Sequence, residues 1–231
     1  MTMQLETPTI SRSFSPNPLR WSRATGALVA GIALALMAPL AAVGVFVGIN
    51  GLVTVGDAEK TAQAIAASPG QWIAGVTALF VVVLLDFAAA AGMIALFRDV
   101  NRVLSIAAGV ARIAYGIVFA VAIAQLGVAY ASLDDPQAAL AATEAYQSIW
   151  MLSLGLFGIS LLLVAYLAIR SGFVPKVFGI LIGIAGLGYT ADTVGVTFID
   201  GFAPIFGSVL FVGEVTMIFW LLIKGRKLSR I

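Results

Sequence analysis

The chain has 231 residues, of which 61% are hydrophobic and only 10% charged, and its mean hydropathy is +1.06. Soluble domains carry about 25% charged residues, so this composition excludes an ordinary soluble domain and places most of the chain in a bilayer. A net charge of +2 is no nucleic-acid footprint, and a chain without cysteine or histidine has no disulfide, thiolate-zinc or iron–sulfur site, no usual haem ligand and no usual proton shuttle, so no cofactor and no metal are expected.

Residues 1–23, with Pro8, Pro16, Pro18 and several serines, read as a disordered cytoplasmic tail. Six apolar stretches follow: Ala24–Ile49, Trp72–Phe97, Val103–Leu133, Tyr146–Ile169, Val174–Ile199 and Phe202–Ile223. Crossing about 30 Å of hydrocarbon takes about 20 apolar residues, and each stretch meets that length. The expected fold is therefore all-α: a polytopic six-helix transmembrane domain over residues 24–224, ending in a basic tail over 225–231. The first stretch outlasts the core of a signal peptide, about 7–15 residues, and reads as an uncleaved helix.

The connections carry their own signals. Asp57 is placed to cap a short helix over Ala58–Ala67, and Asp134 to cap one over Pro136–Ala145, with proline in the first turn. Both segments are Ala-rich and suit either a membrane-surface helix or a solvated loop. The tight turns Arg98–Arg102 and Arg170–Lys176 make antiparallel neighbours of helices two and three and of helices four and five. Gly44/Gly48 and Gly179/Gly183 are small-xxx-small pairs that allow close helix approach, and Gly186-Leu-Gly188 falls mid-helix as a packing feature.

Eleven of the thirteen basic residues fall in alternate segments that include both termini. The opposite loops hold Lys60 together with the acids Asp57, Glu59, Asp134, Asp135, Glu144 and Asp200. The positive-inside rule then puts both termini in the cytoplasm and the protein, multi-pass, in a bacterial inner membrane.

Four ionisable residues interrupt the apolar stretches: Asp86, Arg112, Asp192 and Glu214. Charge inside a bilayer is expensive and is a functional-site hypothesis by default. At about 1.5 Å per residue, Asp86, Arg112 and Glu214 each lie roughly 15 Å from the basic face, near the midplane. Asp192 lies roughly 27 Å from that face, near the opposite surface. Matched depth and a tight connecting turn point to an Asp86–Arg112 ion pair, with Glu214 as a second acceptor for the same guanidinium. Tyr115, one turn beyond Arg112, and Tyr189, three residues before Asp192, are placed to donate to carboxylates. The cluster reads either as a static polar staple fixing helix order or as a lined cavity in which a carboxylate meets a cation, a proton or a polar headgroup. Three acids against one arginine leave carboxylate in excess, which suits the second reading. All lysines sit in loops or tails, which excludes a retinal protein, and no Ser-His or Cys-His catalytic pair is possible.

From the fourth stretch onward, several motifs occur together. They are Arg170-Ser-Gly-Phe-Val-Pro-Lys176, Gly186-Leu-Gly-Tyr189 with Asp192, Gly213-Glu214 and Trp220-Leu-Leu-Ile-Lys-Gly225. With Asp86, Val100-Asn-Arg102 and Arg112, they resemble the bacterial membrane family known as domain of unknown function 4386, over about residues 20–227. The resemblance implies the six-helix fold and transfers no activity. One departure is Ile159-Ser160, where the family pattern implies Leu-His. The function expected is a non-enzymatic one: handling of a small molecule, lipid, ion or proton by the buried cluster. The alternative is an accessory subunit of a larger complex. The partners expected are the lipid bilayer and other membrane subunits, and no nucleic acid.

Overall fold

The computed structural model describes residues 17–206 and 212–228, and all regular structure among them is helical. The long helices are α1 (Arg23–Ile49), α3 (Pro69–Phe97), α4 (Arg102–Ala131), α5 (Pro136–Arg170) and α6 (Lys176–Phe198), with a short α2 (Ala58–Ala67) and a final α7 (Val212–Ile223). The five long helices are each long and apolar enough to cross a membrane. Of the sixth expected stretch, residues 212–223 form α7, roughly 18 Å, residues 202–205 are not helical, and residues 207–211 lie outside the described residues.

Of the expected N-terminal tail, residues 1–16 lie outside the described residues. The remainder is ordered: Pro18–Arg20 forms a 3-10 turn, and the Ser22 hydroxyl caps α1 by accepting from the Thr25 amide at 3.0 Å. Within α1, Pro39 leaves the Ala35 carbonyl without its usual donor, and the last seven residues, Val43–Ile49, wind as a π-helix. Gly44 and Gly48 on that segment meet α3. A Cβ on Gly48 would collide with the backbone of Gly75, and one on Gly44 with Leu79. The expected close approach is therefore real, and its partner is Gly75. Gly158 of α5 and Gly186 of α6 make a second such contact.

Each helix packs on its neighbours in a fixed order. α1 packs on α3, α3 on α4, α4 on α5, α5 on α6, α6 on α7, and α7 returns to α1. The six form a closed ring, in which α4 stands opposite α7. The antiparallel pairs α3/α4 and α5/α6 expected from the tight turns are both present.

Two expectations about the connections are corrected. Asp135, not Asp134, caps the helix after the acidic loop, accepting from the Ala138 amide at 3.2 Å. That helix does not stop at Ala145 but runs unbroken for 35 residues to Arg170. At roughly 52 Å, α5 is far longer than the hydrocarbon core, so one end projects beyond it. The short helix α2, capped by Asp57 as expected, packs on α5 and α3 and buries Ala58, Thr61, Ala62 and Ile65. It is docked on the protein.

At the basic end, Asp99 joins Arg23 (3.2 Å) and Arg98 (3.3 Å). In the α5–α6 turn, Gly172 has φ +72°, a conformation that suits glycine, and Phe173 then stacks on Phe97 and Trp220 beneath the bundle. Gly225 of the C-terminal segment is buried against Ala27 and Trp220, so this end of the tail docks rather than hangs free.

Candidate functional site

The interior of the ring receives a polar side chain from α3, α4, α6 and α7 and an aromatic wall from α4 and α5. Asp86 on α3 and Arg112 on α4 form the expected ion pair. Arg112 Nε donates to Asp86 Oδ1 at 2.7 Å, and Nη2 lies 2.6 Å from the same oxygen. That second contact is off the hydrogen-bonding direction, so Nη2 has charge contact without a hydrogen-bond partner among the described residues. The two side chains are 1% and 4% exposed, so the pair is dry.

The guanidinium lies over the Phe157 ring of α5, 4.9 Å from its centroid, a cation–π contact that shields its face from lipid. Tyr115, one turn on from Arg112, stacks on Phe119 and tilts against Phe157. Its hydroxyl interacts with Trp150 and feels the charges of Asp86, Arg112 and Glu214. Tyr189 on α6 meets Phe157 edge-on at 5.1 Å.

Glu214 enters from α7, on the far side of the ring from α4. Its carboxylate interacts with Arg112 and Asp86 through their charges, and the Tyr189 hydroxyl interacts with it directly. Glu214 Oε1 is wholly enclosed and has no hydrogen-bond partner among the described residues. Asp86, Arg112, Tyr115, Tyr189 and Glu214 thus form one cluster, as their depths along the helices suggest.

Asp192 takes a different part. It is buried, and its Oδ1 accepts from the amides of Ile205 and Phe206 at 3.1 and 3.2 Å. Asp192 lies six residues before the end of α6, about 9 Å along the axis. The chain after α6 therefore folds back into the bundle by about that distance, and Phe202 packs on Gly195 as it does so. A carboxylate supplies acceptors to backbone amides that would otherwise be buried without partners.

Four contributors escape the sequence reading as site residues. Phe157 and Trp150 build the wall, and Tyr146 extends it by stacking on Trp150, with a buried hydroxyl that has no partner among the described residues. Ser160 donates to the Ala108 carbonyl at 2.9 Å, joining α5 to α4 one turn before Arg112. Tyr146, Trp150, Ser153, Phe157 and Ser160 recur at helical spacing, which is the signal that marks one face of α5.

Fold and site together define a multi-pass, all-helical membrane protein with a carboxylate–guanidinium centre enclosed by its helices. The chain belongs to the family described as a domain of unknown function (DUF4386), which matches residues 29–225. An uncharacterized protein of Archaeoglobus fulgidus is 34% identical over 159 residues, covering 69% of this chain and 88% of that relative. No solved structure matches the chain.

Proposed function

We propose that the protein handles a proton or a small cationic or hydrogen-bond-donating ligand inside the bilayer, with Glu214 as the receiving group. The observation that carries this reading is the enclosed Glu214 Oε1, which has no donor among the described residues while Asp86 holds Arg112. An unsatisfied buried acceptor costs about 1–3 kcal/mol, and more when charged. A position that carries such a cost near the midplane suits a group that binds something. Tyr189 and Tyr115 then orient the ligand, and the Asp86–Arg112 pair fixes the far wall.

The proposed setting is six crossings of a bacterial inner membrane with both termini in the cytoplasm, supported by the basic residues of alternate segments. Single cysteines at Ser171 and Asp57, probed with an impermeant thiol reagent on intact cells, test it. Labelling at Asp57 alone is expected, and labelling at Ser171 alone reverses the orientation.

A second reading, an accessory subunit with a static polar staple, draws support from the complete Asp86–Arg112 pair. Glu214→Gln separates the two readings. The ligand reading expects a folded protein that has lost a small molecule seen by native mass spectrometry in the wild type, or its cellular effect. Instability with nothing specific lost favours the staple.

A further inference from the structure

An open apolar groove of about 750 Å³ lies on the flank of the bundle between the start of α6 and the described part of α7. Phe178 forms its α6 side, Phe173 and Trp220 line it, and Phe219 and Ile223 of α7 stand 61% and 52% exposed. Thr216 on α7 and Lys224, the residue just after its end, also line it, eight residues apart, about 12 Å along the axis. That length is close to the hydrocarbon depth of one leaflet, about 15 Å. Thr216 spends its hydroxyl on the Gly213 carbonyl at 2.9 Å, so that part of the wall offers no strong donor to a ligand. The charge of the lining is Lys224, which is exposed and followed by exposed Arg226 and Lys227. Among the described residues no acid lines the groove, and Asp99, the acid of the neighbouring turn, is engaged by Arg23 and Arg98.

We infer that this groove is a binding site for an anionic phospholipid, with one acyl chain along Phe178, Phe219 and Ile223 and the phosphate at Lys224. The shape suits a chain that enters from the basic face and ends near midplane. The charge selects the headgroup, since a basic residue beside an anionic headgroup gives a preference of about fivefold, the factor corresponding to about 1 kcal/mol. This site is separate from the Glu214 centre and does not depend on how that centre functions.

Quenching of Trp220 fluorescence tests the inference. The protein is reconstituted in vesicles of phosphatidylcholine with a small fixed fraction of brominated phosphatidylglycerol or of brominated phosphatidylcholine. The Trp220 contribution is the difference between wild type and W220F. Phosphatidylglycerol is expected to quench Trp220 as though enriched about fivefold, and K224Q is expected to remove most of that excess. Equal quenching by the two lipids means ordinary boundary lipid and overturns the site. Absence of quenching by either means that the groove is covered by protein, such as a second copy of the chain, and overturns it too. If W220F does not fold, native mass spectrometry of the wild type and K224Q from a mixture of the two lipids makes the same distinction: retained phosphatidylglycerol, lost in K224Q, supports the site, and equal retention ends it.

Discussion

Replacing Asp86 with asparagine leaves Arg112 without its ion-pair partner, with only the Glu214 charge and the Phe157 ring near it, and replacing Arg112 with glutamine strands the Asp86 carboxylate in a dry interior. The pair is close, with Nε–Oδ1 at 2.7 Å and Nη2–Oδ1 at 2.6 Å, and both side chains are nearly unexposed. For charges about 4 Å apart and an effective dielectric constant of about 20, the attraction is about 4 kcal/mol. Removal of one member of a buried pair costs about 3–5 kcal/mol because the other stays charged and unsolvated. The double variant carries neither stranded charge, so it is expected to lose clearly less than the two single losses combined. Each stranded charge has some relief: the Phe157 ring still faces the guanidinium left by Asp86→Asn, and the carboxyl left by Arg112→Gln can take up a proton, which a guanidinium cannot give up. Unfolding of detergent-solubilised protein in a double-mutant cycle gives the coupling directly. Additive losses, with coupling below about 0.5 kcal/mol, refute the pairing as an energetic unit.

Asp192→Ala strips acceptors from the amides of Ile205 and Phe206, and a loss of about 1–3 kcal/mol is expected, read as a lower thermal midpoint. Asp192→Asn keeps one side-chain oxygen and is expected to recover much of it; equal harm from both changes contradicts the capping role. Gly48→Ala pushes a methyl group into the Gly75 backbone, so α1 must separate from α3 at a cost of about 1–3 kcal/mol. Unchanged stability in that variant means that the two helices are not in close contact there.

Hydropathy makes the long helices legible because a bilayer imposes one length on every crossing. The Asp86–Arg112 pair is legible for a related reason: equal depth on two helices joined by a short turn leaves little freedom for the side chains. Glu214 shares that depth, and the ring places it across from Arg112. The order of the ring itself is not written in any one helix, since apolar faces toward lipid and toward protein look alike in composition. Phe157 is one of fourteen phenylalanines, and only the position of Arg112 distinguishes it. Depth alone does not give the partners of Asp192, the amides of Ile205 and Phe206. Its role arises because the chain after α6 turns back toward the interior, and helical rise says nothing about a return. The acidic end of α5 is ambiguous because residues 136–145 are Ala-rich and suit a separate surface helix or a continued one, and contact with α2 decides between them.

Whether Glu214 is open to a ligand while Asp86 is committed to Arg112 is tested most directly by a bilayer-soluble carbodiimide, which attacks carboxyl groups not held in an ion pair. After labelling in native membranes, peptide mass spectrometry gives the extent of modification at each acid. The expected result is a stable adduct on Glu214, little or none on Asp86, and an increase at Asp86 when Arg112 is replaced. Modification of Asp86 in preference to Glu214 in the wild type, or protection of both, contradicts an open carboxylate at the centre of the ring.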